Sequence, residues 1–473
     1  MTPDAVVVGS GPNGLAAALT LARAGLSVVV REGAPEIGGG LCSGELTLPG
    51  FVHDRCSAIH PLLAGSPFFR TVPLGRHGVE LVEPPAPLAH PLDDGSAVVL
   101  ERSVAETAAG LGEDGPAYER LLGPVVDDWD LLESAVLGPL LRMPRHPVAL
   151  ARFARRALRP ATRVAAGAFR GERARALLAG CAAHSLIPLE RRPSAAVGVV
   201  LLALGHRVGW PFPRGASSRV AEALVAELGE LGGVVEPDAP VASLDELGSP
   251  RLVLCDVGPH ALADLAGDRL SERERRRLRL FRYGPGVLKV DYALDGPIPW
   301  AAEECSRAAT VHLGGTLAEI AASERAPWRG EHAERPFVLL AQQTLFDATR
   351  APAGKHTAWA YCHVPHGSAL DVSDRIDAQI ERFAPGFREL VLARSVQGPA
   401  ELEARNPNLV GGDVTGGVAD LRGLLERPTA RRAPYRTSAP GVYLCSSSTP
   451  PGAGVHGMCG YLAARTALRD AAR

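Results

Sequence analysis

Lysine is nearly missing from this 473-residue chain: only Lys289 and Lys355 stand among its 50 basic residues, the rest being arginine. With abundant alanine, glycine and proline, that bias fits a GC-rich genome, and it lets each lysine be weighed individually. No charge sign is in excess either, since 50 basic residues face 52 acidic ones for a net charge of -2. A nucleic-acid partner, which needs a basic face, is therefore not expected. The eight cysteines (Cys42, Cys56, Cys181, Cys255, Cys305, Cys362, Cys445 and Cys459) include no C-x-x-C and no pair at zinc-ribbon spacing. A metal site and a redox-active disulfide both lose support. The longest apolar run, around Ala195 to Leu204, falls far short of the ~18–20 residues of a spanning helix. No basic leader precedes the first strand, so no secretory signal is read, and a cytoplasmic location with reduced thiols is expected.

What is present is the balance of a globular protein, 46% hydrophobic and 22% charged. At roughly 100–200 residues per domain, two or three domains are expected. Ala5 to Val8 is a short continuous apolar run, as in a fully buried strand, Leu15 to Arg23 is rich in helix formers, and Val28 to Val30 is a second buried strand. Between the first strand and the helix lies Gly9-Ser10-Gly11-Pro12-Asn13-Gly14. Gly9 suits the tight turn, Gly11 lets backbone approach a pyrophosphate, and Gly14 lets helix and strand pack closely. Glu32 ends the second strand where a carboxylate would accept hydrogen bonds from a ribose. The strand–loop–helix context makes an ADP-ribosyl dinucleotide the expected ligand.

Glu36-Ile37-Gly38-Gly39-Gly40 resembles the second glycine motif of flavoproteins in the glutathione reductase, amine oxidase and phytoene desaturase superfamily, with Gly40 where an Arg is usual. Gly50-Phe51-Val52-His53-Asp54-Arg55-Cys56-Ser57 resembles the phytoene desaturase segment that enters the flavin ring region, with Cys56 in place of a glycine. Thr449 to Gly457 resembles the T-H-P-G-A-G-I-P-G of carotenoid desaturases. With His60-Pro61, Pro87 to Leu92, Asn406 to Asn408, Gly411 to Asp413 and His456 to Gly460, the chain resembles the bacterial phytoene dehydrogenase-like FAD-dependent oxidoreductases. These are related to carotenoid desaturases, flavin amine oxidases and the pyridine nucleotide-disulfide oxidoreductase domain protein type 2.

The resemblance implies an α/β fold: a Rossmann-type FAD-binding domain of the glutathione reductase-like kind, with an inserted α+β substrate domain. The expected FAD domain is discontinuous, over 1–75, 215–285 and 425–473. The substrate domain takes 76–214 and 286–424, with a mainly helical part over about 103–204. Leu288 to Leu294, Pro336 to Ala341 and Thr357 to Val364 are strand-like, with partly alternating patterns suited to a half-covered sheet. The implied cofactor is non-covalent FAD, held by Gly9, Gly11, Pro12, Asn13, Gly14, Glu32, Gly39, Gly40, Ser57, the main chain at Val241, Gly454, Gly457 and Met458. A helix from Met458 would turn free amides toward the flavin's N1/O2 edge.

For the chemistry, Lys289 resembles the amine oxidase lysine that holds a water against flavin N5. His456, where carotenoid desaturases have proline, is a candidate acid or base; the competing reading is a histidine that caps a helix. His60 is a weaker candidate of the same kind, and Tyr361, His363 and His366 are candidate cavity residues. Cys42 and Cys56 are too far apart for a disulfide reductase pair. No second G-x-G-x-x-G offers a nicotinamide site, because Gly314-Gly315 lacks a flanking strand and a third glycine. Electrons are then expected to pass to oxygen or a quinone.

The expected reaction is dehydrogenation of a C-C or C-N bond in a largely apolar small molecule, by hydride transfer to flavin N5. A redox-neutral isomerase and a non-catalytic FAD scaffold are the rivals. Eight arginines between Ala151 and Arg175 against Glu172 alone suggest a membrane-surface or anionic-partner patch; a solvated helix face is the favoured reading. The chain is expected to act as a monomer or homodimer.

Overall fold

The computed structural model describes residues 2–472. Its first sheet has five strands in the order Val442–Leu444, Leu252–Cys255, Ala5–Val8, Val28–Arg31, Val234–Glu236, and every neighbouring pair is parallel. Parallel strands are covered on both faces and read as continuous apolar runs, which is why Ala5–Val8 and Leu252–Cys255 are buried throughout. On one face the helices Pro12–Ala22, Ser218–Glu230 and Met458–Ala471 share a core through Leu15, Leu19, Leu224, Ala463 and Ala467. On the other, Leu262 and Leu278 pack on Val6, Val8 and Val253.

The helices Pro12–Ala22 and Met458–Ala471 touch backbone to backbone. A Cβ on Gly460 would stand 1.7 Å from the Asn13 carbonyl oxygen, so only glycine permits the crossing. Within the loop itself a Cβ on Gly14 would stand 2.1 Å from Gly9 O, which is the close strand–helix approach read from the sequence.

The second sheet has seven strands in the order Val391–Gln397, Gly286–Leu294, His356–Val364, Val338–Ala341, Thr310–Leu313, Leu88–Pro91, Ala97–Leu100. All its pairs are antiparallel except Thr310–Leu313 beside Leu88–Pro91. A half-covered sheet was the expectation; instead Gly286–Leu294 is buried at all nine positions. Leu288, Val290, Tyr292 and Leu294 face Ile376 and Ile380 of the helix Ser373–Phe383. Lys289 and Asp291, on the opposite face by the two-residue repeat of a strand, are roofed by the segment around His53.

A second correction concerns Gly314-Gly315, which does follow a strand, Thr310–Leu313, and precedes the helix Leu317–Arg325. No nucleotide loop results. Thr316 and Glu319 form a capping box, and Glu319 Oε2 would lie 2.3 Å from a Cβ on Gly315, so the helix end is already filled by its own side chain. Against the second sheet, helices from Val104–Gly110 to Ser194–Val208 pack around Leu177, Leu178, Val199 and Leu202, in one core with Leu88, Val98, Leu100 and Leu339 of its strands.

Candidate functional site

The glycine loop opens with Gly9 at φ 97°, a backbone state that favours glycine. Ser10 turns its amide and hydroxyl onto Glu32 Oε2, at 2.8 and 2.7 Å, while Glu32 Oε1 accepts from the Ala34 amide at 2.9 Å. The carboxylate is thus held at the strand end. Gly11 precedes the helix and Pro12 sits in its first turn, where a missing N–H costs nothing. Asn13 is buried, and among the described residues its side-chain oxygen has no hydrogen-bond partner. Ala239 donates to Glu32 O at 2.7 Å and Pro240 lies 3.7 Å from a Cβ on Gly33, so the half-buried Val241 follows a segment laid beside the Glu32 strand end.

One group here has no signal along the chain. Asp256, directly after the strand Leu252–Cys255, accepts from the Gly14 amide at 2.8 Å, and its Oδ2 would stand 2.6 Å from a Cβ on Gly11. Burial, opposed by the Gly14 N–H and reinforced by Glu32, pushes this acid up to about 7.

From the loop a line of close contacts runs into the protein. A Cβ on Gly39 would meet Gly11 Cα at 3.1 Å, Gly40 O accepts from the Ser57 amide at 3.0 Å, and Cys56 Sγ lies 3.9 Å from a Cβ on Gly40. The same segment brings His53 Nδ1 to 3.7 Å from Asp291 Oδ1, and Asp291 binds Lys289, whose charge opposes the burial that raises the Cys56 thiol. Lys289 is 2% exposed and donates to Asp291 Oδ2, with Nζ 5.8 Å from the centre of the Trp359 ring. It is therefore an inward lysine. Burial raises the Asp291 acid to about 6, with Lys289 opposing.

Next to this pair lies a buried ionic network. Arg350, 1% exposed, donates to Asp54 Oδ2 at 2.7 Å, to Asp347 Oδ2 at 3.1 Å and to Pro213 O at 2.7 Å. Burial drives the Asp54 acid upward, but Arg350 and the Ser217 amide outweigh it and hold the group below its ordinary range. Of this network only Asp54 stood inside a recognised motif. Asp291 was legible in principle, since it lies two residues from Lys289 on one strand and so shares its face.

Three expectations are corrected. His456 uses both ring nitrogens on backbone: Nδ1 accepts from the Met458 amide at 3.0 Å and Nε2 donates to Gly452 O at 3.1 Å. Burial lowers it to about 4, so it is a neutral cap with no free nitrogen for acid–base work. The Met458 amide, expected to be free at the helix start, is the one this imidazole takes. His60 is buried between Ser217 Oγ at 2.9 Å and Ser57 Oγ at 3.4 Å and is lowered by burial to about 4, which makes it a neutral link rather than a catalytic group.

Gly454 and Gly457 adopt φ of 117° and 64°, and a Cβ on either would strike Leu62 or Phe68 at 2.3 and 2.6 Å. Tyr361 stacks edge-on to Trp359 and stands opposite Lys289, and His363 is bound to Glu324 at 2.8 Å. His366 instead binds Gly284 O, alongside Gly411. Of the arginine run, Arg152, Arg156, Arg173 and Arg175 are bonded within the chain, to Asp128, Leu121 O, Ala97 O and Phe169 O respectively. Arg155, Arg159, Arg163 and Arg170 are exposed. Among the described residues no helix is long and apolar enough to cross a membrane.

Comparison with known proteins agrees with this architecture. Residues 7–70 match the family model described as an NAD(P)-binding Rossmann-like domain. The chain is 27% identical to the pyridine nucleotide-disulfide oxidoreductase domain-containing protein 2 of Rattus norvegicus, over 99% of this chain and 93% of the relative. Among solved structures, an oxidoreductase from Methanosarcina mazei superposes with a TM-score of 0.67 at 15% identity, covering 98% of this chain and 99% of the other. A putrescine oxidase bound to putrescine superposes with a TM-score of 0.64 at 18% identity and covers 100% of both chains. The chain has the two-sheet fold these oxidoreductases share, in agreement with the resemblance read from its sequence.

Proposed function

We propose that this oxidoreductase binds FAD non-covalently and dehydrogenates a C-C or C-N bond of a largely apolar small molecule. The observation that carries the reading is the run Gly11–Gly39–Gly40–Cys56, which leads from a dinucleotide-type loop into the segment whose His53 faces the buried Lys289–Asp291 pair. The residues fit the cofactor at both ends. The glycines leave room where any Cβ would collide, Glu32 is held at the strand end for a ribose, and the unpartnered Asn13 oxygen is a spare acceptor. Asp256 opposes an anionic pyrophosphate, and its raised pKa lessens the conflict by keeping it largely protonated below about pH 7.

Bound there, FAD would supply a hydride acceptor. This chain's part is to position and to exclude water. Trp359 and Tyr361 form an aromatic wall beside Lys289, which, paired with Asp291, offers a cation that does not need solvent. In this reading the parallel-sheet segments 1–75, 215–285 and 425–473 hold the cofactor, and 76–214 with 286–424 holds the substrate. A C-N substrate is the reading favoured by the putrescine oxidase likeness, with oxygen or a quinone as the final acceptor.

The test is the visible spectrum of the purified protein, followed by anaerobic reduction and readmission of air. Flavin bands that are released on denaturation, bleach with reductant and return with air are the expected result. A colourless protein that takes up no added FAD overturns the proposal.

A further inference from the structure

Two buried polar atoms in this site face each other without being bonded. Asp291 Oδ1 and His53 Nδ1 each have no hydrogen-bond partner among the described residues, although the two residues are 0% and 2% exposed. They lie 3.7 Å apart. Leaving both unpaired is costly, so their juxtaposition calls for an explanation. Each is bound at its other end: Asp291 Oδ2 accepts from Lys289 Nζ, and His53 Nε2 lies 2.8 Å from Thr47 Oγ1. Thr47 is half-buried in the loop between the short strands Ser43–Glu45 and Val52–Asp54. The four groups therefore form a row from a buried ammonium to the surface.

We infer that Thr47, His53 and Asp291 form a proton route between solvent and Lys289. The inference rests on the reaction site proposed above, where substrate dehydrogenation and reoxidation both require protons to cross a dry interior. For a proton to enter, the Thr47 hydroxyl hydrogen passes to His53 Nε2, and Thr47 regains one from hydronium, which leaves as water. The hydrogen on Nδ1 passes to Asp291 Oδ1. The carboxylate becomes a carboxylic acid, the imidazole is left in its other tautomer with no change of charge, and a proton leaving by the reverse steps restores the first tautomer. Asp291 keeps its contact with Lys289 Nζ through Oδ2, so the proton is held at the buried pair.

The surroundings suit this passage. Burial, with Lys289 and Arg350, lowers His53 to about 3 against the opposing pull of Asp54, so the ring stays neutral between transfers. Asp54 does not compete for the proton, because Arg350, Gln343, Ser43 and the Ser217 amide already occupy its carboxylate. Tyr361 and Gln397 stand opposite Lys289 on the adjoining strands, and burial raises both the Tyr361 phenol and the Cys56 thiol, so neither is a ready proton donor beside Asp291. Asp291, raised to about 6, takes and releases a proton near neutrality.

Infrared difference spectroscopy on the full-length protein tests the route. A protonated-carboxyl band that titrates near the Asp291 value and is missing from Asp291→Asn is expected. On transfer to D2O that band should exchange about a hundredfold more slowly in Thr47→Val than in the wild type, with Thr47→Ser restoring the fast rate. Thr47→Val removes only the contact with His53 Nε2 and leaves the Lys289–Asp291 and Arg350–Asp54 pairs in place. Equal exchange of the Asp291 band in wild type and Thr47→Val, or a carboxyl spectrum that loses no band in Asp291→Asn, overturns the route. The two proposals fail separately. Protein that takes up no FAD but shows the exchange difference loses the reaction reading and keeps the route, whereas FAD-loaded protein with unaltered exchange loses the route and keeps the reading.

Discussion

Replacing Asp256 by Asn should make the protein more stable as the pH rises. The carboxyl group is 7% exposed, with Oδ2 2.8 Å from the Gly14 amide nitrogen, and its pKa moves from an ordinary 3.8 up to about 7. An acid that ionises less readily when folded makes the folded chain the better proton binder. Its stabilising contribution is complete below the unfolded value and is lost as the pH climbs through the folded one, here between about pH 4 and pH 7. At about 1.4 kcal/mol per unit, the accumulated loss is about 4 kcal/mol by pH 8. Asparagine keeps the shape and an acceptor for the Gly14 N–H but never ionises. In urea denaturation of cofactor-free protein, Asp256→Asn should exceed the wild type by about 2 kcal/mol at pH 5 and about 4 kcal/mol at pH 8, with a plateau above the folded pKa. The same change should tighten FAD binding at pH 8, where a carboxylate would repel the pyrophosphate. Stability curves that run parallel from pH 5 to pH 8 would refute the reasoning.

Arg350→Met should destabilise by about 3–5 kcal/mol in the same denaturation assay, because it strands the buried carboxylates of Asp54 and Asp347 without their shared cation; a loss below 1 kcal/mol would mean solvent reaches them. Gly14→Ala drives a Cβ to 2.1 Å from Gly9 O, so strand and helix must part at a cost of about 1–3 kcal/mol. FAD uptake, followed by fluorescence quenching, should fall with it, and undiminished uptake would count against the loop. His456→Ala should lower stability by about 1–2 kcal/mol through the lost Met458 cap while leaving the pH profile of turnover in place. A missing limb in that profile would return His456 to the chemistry.

The parallel-sheet core and the glycine loop were legible because their instructions are local: strand, turn, helix and strand all lie within residues 5–31. Lys289 stood out by the scarcity of its kind. His456 was misjudged for chemistry because its cap partners, Gly452 O and the Met458 amide, depend on how the backbone folds around φ-positive glycines.

What the amino-acid order determined alone was the alternation of buried runs, the loop whose glycines admit backbone, and the strand carrying Lys289 and Asp291 on one face. Only the tertiary structure decided what covers that face and which acids share it. Asp54 and Arg350 meet across 296 residues of chain, and Asp256 reaches Gly14 across 242. A charge can stay buried only when its partner is brought to it, and no periodicity along the chain records a partner that distant.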